Sequence, residues 1–185
     1  MVPPPVERTK MLKAIVLVKL LVQFSNEIEH YENHIRALLQ SHPDFEIFIS
    51  YPGVGETLAA RLLSMFGDNR NRFSDASEPQ ALAGTCPVTD KTGLWTKHLF
   101  FRRACSKFYR DTMQQVAFSS LTKADWAKAY YKKQRAKNKK HSHALRCLAN
   151  IHLRILFAMW KNHTLYDENI FLAQKARFHM QNEKY

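Results

Sequence analysis

The residues of this sequence that could do chemistry begin with a glycine turn, residues 51–55, which read Tyr-Pro-Gly-Val-Gly. Glycine allows positive φ and lets a backbone approach a ligand closely. An extended apolar segment, 45–49, is predicted to lead into this turn, and a helix over about 57–66 to follow it. The free N–H groups and positive dipole end of such a helix suit a phosphate. The pattern predicts a helix-hairpin-helix-like turn in which Gly53, Val54 and Gly55 hold a nucleic-acid phosphate. A turn that only packs the helix is the alternative.

A second group with chemical potential is a dense series of cations between residues 91 and 150. This segment holds fifteen Lys or Arg against only Asp111 and Asp125, whereas residues 1–50 hold five Lys or Arg and six Asp or Glu. The formal net charge of the 185-residue chain is +12, so one segment carries essentially the whole excess. Such a charge distribution indicates a polyanionic partner, and nucleic acid is favoured over an anionic membrane.

Metal-binding and disulfide chemistry are not predicted. Cys86, Cys105 and Cys147 are odd in number and widely spaced, which argues for reduced thiols and against a zinc ribbon or a disulfide framework. His141 and His143 could ligate a metal, but no second ligand pair follows at useful spacing. We therefore assign these two histidines to a basic loop and predict no metal site.

The sequence also lacks the features of an exported or membrane-spanning chain. Arg154 interrupts the longest apolar stretch, 151–160, and residues 1–7 do not resemble a secretory signal. The predicted location is cytoplasmic, with no membrane partner.

A long helix must come before the glycine turn, because residues 9–41 contain neither Gly nor Pro. Apolar residues recur there at alternating steps of three and four, with Ser25 and Glu32 as polar interruptions, and further apolar residues widen the stripe. This is an imperfect coiled-coil pattern. A helix packed on its own domain and a dimerisation arm are both open interpretations.

The remaining elements are predicted to be mainly helical. A loop with a strand-like start is expected at 84–93, and helices at about 77–83, 100–119, 125–137 and 142–161. Arg102, Arg103, Lys107 and Arg110 would then lie at helical spacing along one side. The predicted fold is mainly α: a long coiled-coil helix (1–44), a compact helical domain containing the glycine turn (45–166), and a weakly ordered or helical tail (167–185).

The order of these motifs resembles the C-terminal domain of insertion-sequence transposases of the 110/1111 group. The glycine turn matches a PGxG hairpin, residues 80–89 an "AGxxPVT" segment, and residues 91–93 a short loop that precedes a basic helix. Later landmarks follow in the same order at 101–105, 126–131, 153–156 and 164–167. The resemblance extends over about residues 8–168.

This resemblance implies DNA strand exchange through a covalent phosphoserine intermediate. In that family a resolvase-like domain with a DEDD carboxylate set, which holds Mg²⁺, precedes a coiled coil and the domain matched here. Some members use a structured guide RNA. Because strand exchange needs more than one active centre, we expect a homo-oligomer formed through the long helix. The chain starts just before the coiled coil, so the DEDD domain is expected to lie outside it, and no Mg²⁺ is expected in this chain by itself.

The family's serine aligns with Thr92. A threonine hydroxyl can attack a phosphodiester, but its β-methyl group restricts χ1 and crowds an in-line approach. A misplacement of about an ångström can cost on the order of a hundredfold in rate. Thr92 is thus the candidate catalytic residue, with a structural loop threonine as the alternative.

Three functions stay open at this point. The first is the DNA-binding part of a transposase, in which the cations Lys91, Lys97, Arg102, Arg103 and Lys107 flank the scissile phosphate. The second is a non-enzymatic nucleic-acid-binding module derived from a transposase, and the third is a coiled-coil adaptor for an acidic protein. The first two require the glycine turn and the cations to converge on one surface.

Overall fold

The computed structural model describes the backbone of residues 5–92 and 95–173, and the side chains of residues 5–89 and 100–173. It is mainly helical, as the sequence predicts. The chain divides into two compact units, Met1–His42 and Pro43–Tyr185. The elements in chain order are α1 (Pro5–Gln40), α2 (Phe45–Ile49), α3 (Glu56–Phe66), α4 (Ser77–Leu82), β1 (Val88–Thr92), β2 (Trp95–Phe100), α5 (Lys107–Ser120), α6 (Asp125–Ala136) and α7 (His141–Asn162).

The first unit is the single helix α1, which confirms the predicted long N-terminal helix. Pro5 occupies the first helical position, where its missing N–H costs nothing. The helix ends before Pro43, whose ring disfavours the α conformation of the residue before it. Nearly all of its apolar side chains are exposed, including Leu21 at 65% and Ile28 at 57%.

The segment 45–49, predicted to be extended, is the short helix α2. Its apolar residues fit both a strand and one helical turn, and a run this short does not distinguish the two. In the helix, Ile47 and Phe48 are buried, and the Phe48 ring stacks on Phe66 of α3. The glycine turn therefore connects two helices, α2 and α3.

The core of the second unit is built around α7. This helix packs against α2, α4, α5 and α6, and the α3 helix packs against α2 and α5. A cluster of aromatic rings joins α3 to α7, since Phe66 and Phe73 both contact the fully buried Trp160. The indole Nε1 of Trp160 donates a hydrogen bond to the Gly67 carbonyl at 3.0 Å, which closes the end of α3.

A two-stranded antiparallel hairpin lies between α4 and α5, where the sequence predicted a loop followed directly by a helix. Val88 pairs with Phe100 and Lys91 with Lys97, and the register is irregular between Lys91 and Thr92. The predicted helix start near residue 100 is wrong, because β2 continues to Phe100. Helix α5 begins only after Ser106, whose Oγ accepts a hydrogen bond from the Tyr109 N–H at 3.4 Å.

The predicted C-terminal tail is described only in part. Residues 168–173 are helical, and Phe171 packs its ring on Trp126 of α6 with centroids 4.5 Å apart. Residues 174–185 lie outside the described part of the chain.

Candidate nucleic-acid interface

Gly53 is required by packing within the second unit. Its φ of +83° is a conformation that favours glycine, and a Cβ there would lie 2.8 Å from the backbone carbonyl carbon of Ser119 in α5. The Ser119 Oγ donates a hydrogen bond to the Gly53 carbonyl at 2.7 Å. The sequence predicted that a ligand would come close to the backbone at Gly53. In the structure the last turn of α5 occupies that place.

The other two residues of the predicted phosphate grip differ from each other. Val54 is 8% exposed, and its N–H donates to the Tyr51 carbonyl at 3.1 Å, so both groups serve the turn. Gly55 is the N-cap of α3, and the position where its Cβ would lie is open space. Glu56 in the first turn of α3 already places a carboxylate near the positive dipole end. Gly55 is therefore the member of the three that is accessible to a ligand, with a competing negative charge beside it.

A buried hydrogen-bond chain holds the glycine turn in place. The Tyr51 hydroxyl is bonded to Nδ1 of His152 in α7, and Nε2 of His152 is bonded to the Ser120 Oγ at 2.9 Å. Complete burial lowers the pKa of His152 to about 3, and burial also raises the pKa of Tyr51 well above its usual value. All three side chains are inaccessible to solvent, so they support the turn and do not meet a substrate.

The predicted cations lie in the hairpin and in the segment that follows it. Lys91 and Lys97 are paired across it in the backbone register, and Thr92 faces Trp95 across the irregular step. The side chains of Thr92, Lys91 and Lys97 lie outside the described ones.

Three other predicted cations follow the second strand. Arg102 and Arg103 lie in the non-helical segment after β2, and Lys107 is in the first turn of α5. Arg103 and Lys107 are exposed, and Arg102 is half-buried. The first turn of α5 contains no acidic residue, so its dipole and Lys107 add positive charge at the same end.

An arginine cluster, of which the sequence assigned only Arg102 to the site, completes this region. The guanidinium carbons of Arg110 in α5 and Arg146 in α7 lie 4.5 Å and 4.0 Å from the centroid of the Phe101 ring. The Arg110 Nη2 donates a hydrogen bond to the Arg102 carbonyl at 2.7 Å, and also to the Cys105 Sγ. We call Arg102, Arg110 and Arg146, with Phe101, the arginine cluster.

The arginine cluster has no acidic partner among the described side chains. By contrast, Arg61 pairs with Asp111 and Arg70 pairs with Asp44. The Nε atoms of Arg102, Arg110 and Arg146 are buried without a hydrogen-bond partner in the structure. Burial lowers the pKa of Arg146, and the nearby charge of Arg110 lowers it further. Among the side chains that the structure describes, this region therefore holds positive charge without a carboxylate partner, at a surface where Phe101 is 41% exposed.

Gly84 makes the cluster possible. Its φ is +64°, and a Cβ there would lie 2.7 Å from the Cys105 Sγ and 2.9 Å from Nη2 of Arg110. The Ser106 N–H donates to the Leu82 carbonyl at 2.9 Å, which fixes the start of α5 against the end of α4. The "Ala-Gly" step of the sequence motif thus leaves room for the Arg110 guanidinium.

The glycine turn and the arginine cluster do not meet at one point. Gly53 packs on Ser119 at the C-terminal end of α5, whereas Arg110 is in its N-terminal half and reaches back to Arg102. At about 1.5 Å per helical residue, the two lie on the order of 15 Å apart along α5. The structure brings Arg102, Arg103 and Lys107 together with Arg110 and Arg146, and leaves Gly53, Val54 and Gly55 at the other end of the helix.

The cleft between these two ends is a poor site for an anion. It has a volume of about 440 Å³ and lies between α3, α5 and α7. Its described lining contains Asp111 and no Lys or Arg, and the other lining residues are Leu58, Gln114, Gln115, Phe118, Ser119, His141 and Leu145. A phosphate would meet the Asp111 carboxylate there, and Arg61, which pairs with Asp111 at 2.8 Å, is not among the lining residues.

The described residues contain neither a metal-binding group nor a membrane-spanning helix. No group of three or more His, Cys, Asp or Glu in the described part of the chain could hold a metal ion. No described helix is long and apolar enough to cross a membrane.

Comparison with known proteins finds a matching family and several relatives of similar sequence. Residues 45–132 match the family described as Transposase IS116/IS110/IS902. The chain is 33% identical over 139 residues to the insertion element IS110 uncharacterized 43.6 kDa protein of Streptomyces coelicolor, covering 75% of this chain and 34% of that protein. It is 34% identical over 134 residues to the mini-circle putative transposase for IS117 of the same organism, covering 70% and 31%.

A relative from another genus gives the same result. The insertion element IS900 uncharacterized 42 kDa protein of Mycobacterium paratuberculosis is 27% identical over 150 residues, covering 81% of this chain and 38% of that protein. The chain thus spans about a third of the length of the curated relatives it matches. These matches confirm the resemblance inferred from the order of the motifs.

Proposed function

Because residues 45–132 match the Transposase IS116/IS110/IS902 family, we propose that the chain binds DNA and acts in DNA transposition. The observation that carries this proposal is the group of arginines at the base of the hairpin, which has no carboxylate partner among the described side chains. A surface of this kind attracts the phosphate backbone of DNA and needs no particular base sequence to do so.

The DNA strand would follow the hairpin base and the N-terminal end of α5. Exposed Arg103 and Lys107 would contact the phosphates there together with Arg102, and Lys91 and Lys97 would do so at the Thr92 end of the hairpin. The glycine turn would make a separate, second contact through the backbone at Gly55, because Gly53 and Val54 are engaged within the fold. Consecutive phosphates on one strand would thus span the length of α5.

Thr92 is the residue that we propose as the nucleophile of strand exchange. Its Oγ would lose its proton and form a bond to phosphorus, while the bond from phosphorus to the departing deoxyribose oxygen breaks and that oxygen takes up a proton. Lys91 and Lys97, paired in the backbone on either side of the hairpin, would neutralise the charge that develops on the phosphate.

A homo-oligomer formed through α1 is part of this proposal. A 36-residue helix that exposes apolar side chains around much of its surface needs a partner to remove them from water. A second copy of the same helix fits that need, since the apolar residues recur at heptad-like steps. A guide RNA would be a further partner, held by the same phosphate contacts.

The alternative is a nucleic-acid-binding module without catalytic activity. The threonine in place of the family's serine favours it, because a β-branched side chain restricts the approach to phosphorus. This module would bind DNA with a steep salt dependence and form no covalent product.

Two measurements test the proposal. Purified chain is incubated with DNA of an element end, with and without an added DEDD domain, and an adduct that survives denaturation is sought. An adduct that Thr92→Ala abolishes would support Thr92 as the nucleophile. If no adduct forms even with Thr92→Ser, the catalytic role is refuted and the non-catalytic binding module is the function that remains. Replacing Arg102 and Arg103 by Ala should weaken binding to all DNA sequences alike, and unchanged affinity would remove this segment from the interface.

A further inference from the structure

The geometry points to the arginine cluster as a preformed receptor for one phosphate group of a nucleic-acid strand, with Arg110 and Arg146 as its principal ligands. This inference rests on the proposed function in taking nucleic acid as the source of the phosphate. It adds two residues, one on α5 and one on α7, that the sequence did not assign to binding.

The first support is the fixed placement of the guanidinium groups. Arg110 is held by its hydrogen bonds to the Arg102 carbonyl and the Cys105 Sγ, and it lies over the Phe101 ring. Arg146 lies over the same ring from a different helix. A guanidinium that is already oriented loses little conformational entropy when it binds.

The second support is a contrast with the other stacked, half-buried arginines of this chain. Arg61 lies over the Phe108 ring and pairs with Asp111 at 2.8 Å. Arg70 lies over the Trp160 ring and pairs with Asp44. In both of these cases an aspartate neutralises the stacked guanidinium. The arginine cluster has the same stacking without any carboxylate among the described side chains.

The third support is the location of the cluster. Arg102 lies two residues after β2, and the first turn of α5 directs its positive dipole end and Lys107 to the same region. Guanidinium groups bind phosphate oxygens bidentately and stay charged at all working pH values. A phosphate held here would anchor a strand at the base of the hairpin that carries Thr92.

Binding of single-stranded and duplex oligonucleotides to the full chain, followed by fluorescence anisotropy over a range of salt concentrations, tests this receptor. Arg110→Gln and Arg146→Gln should each lower affinity about tenfold and reduce the slope of log K against log salt by about one. Arg154→Gln is the matched control, since it removes the same charge from an exposed position of α7. Equal behaviour of all three variants would overturn the inference and leave the proposed function intact.

A second arm uses inorganic phosphate in place of DNA. At constant ionic strength, phosphate should raise the melting temperature of the wild-type chain and of Arg154→Gln relative to chloride, and Arg146→Gln should lose this shift. A shift present in wild type and lost in Arg146→Gln would support the receptor even if no oligonucleotide bound, in which case only the proposed function would fail. An equal shift in all variants would overturn the receptor.

Two details complete the design. Oligonucleotides with and without a 5′-phosphate distinguish a terminal phosphate from an internal phosphodiester as the occupant. Should Arg146→Gln fail to fold by circular dichroism, Arg146→Lys replaces it, because a lysine keeps the charge and loses the planar fork. Wild-type affinity in Arg146→Lys would overturn bidentate recognition at this position.

Discussion

Tyr51 and His152 are hydrogen-bonded to each other in the core, although they are 101 residues apart in the sequence. The Ser120 hydroxyl, on the other side of the ring, donates its proton to the Ala117 carbonyl at 2.8 Å, so it must accept from Nε2 of His152. The imidazole is therefore neutral, with its proton on Nε2, and Nδ1 accepts from the Tyr51 hydroxyl. These hydrogen bonds fix the first residue of the glycine turn to the middle of α7.

We predict that acid destabilises the fold through His152. Its pKa is about 3 in the folded chain and about 6.5 when unfolded, so between these values the unfolded chain binds more protons. The free energy of unfolding should therefore fall as pH is lowered through this window, by about 1.4 kcal/mol per pH unit from this group. Urea unfolding at pH 7, 6, 5 and 4 measures it. His152→Gln should be less stable at pH 7 and show a shallower pH dependence; an identical slope in both chains would contradict the prediction.

Tyr51→Phe should destabilise the chain without changing its shape. The substitution leaves Nδ1 of the buried His152 without a donor, which costs about 1–3 kcal/mol. Tyr131→Phe is the control, because the Tyr131 hydroxyl contacts His141 at an exposed site and its loss should cost about 0.5 kcal/mol or less. Urea midpoints compare the two variants, and equal midpoints would show that the buried chain contributes nothing.

Gly53→Ala and Gly55→Ala should separate packing from accessibility in the glycine turn. Alanine at position 53 would have to adopt the positive φ of this position, and its methyl group would overlap the Ser119 backbone. We therefore expect the free energy of unfolding to fall by about 1–3 kcal/mol. Gly55 has φ of −98° and open space, so Ala there should leave stability within about 0.5 kcal/mol. Thermal melts give both values. Similar melting temperatures for the two variants would argue against the observed packing of Gly53.

Charged residues on α1 should prevent self-association. Leu21→Glu combined with Ile28→Glu places carboxylates in the exposed apolar stripe, and light scattering should then report a monomer where the wild-type chain is an oligomer. Gln23→Glu on the same helix adds a charge outside the heptad positions and should keep the oligomer. A monomeric wild-type chain at micromolar concentration would refute the proposed role of α1.

The sequence was a good guide where local pattern decides the structure and a poor one where long-range packing does. The length of α1 follows from the absence of Gly and Pro between Pro5 and Pro43. The five residues of α2 are too few for periodicity to decide between strand and helix, and burial of Phe48 against Phe66 decides it. The hairpin displaced the predicted start of α5, because pairing of Val88 with Phe100 is a tertiary contact.

The same distinction applies to the candidate site. Arg102, Arg103 and Lys107 are close in sequence, so their shared location could be predicted. Arg146 reaches the same region from a helix 36 residues beyond Arg110, and only the fold brings both over Phe101. Conversely, the two glycines of the turn have similar sequence surroundings, but the contact with Ser119 exists only for Gly53.

Because Cys105 lies in close contact with Gly84, alkylation of its thiol can be used to disturb this surface selectively. With no spare volume between the Gly84 backbone, the thiol and Arg110, an acetamide group attached to that sulfur has to push the guanidinium aside. In a chain whose other two cysteines are replaced by serine, iodoacetamide would then weaken oligonucleotide binding while leaving every formal charge unchanged. Mass spectrometry and anisotropy on one sample would relate the fraction alkylated to the affinity lost, and full affinity after complete alkylation would show that Arg110 need not be held where it is.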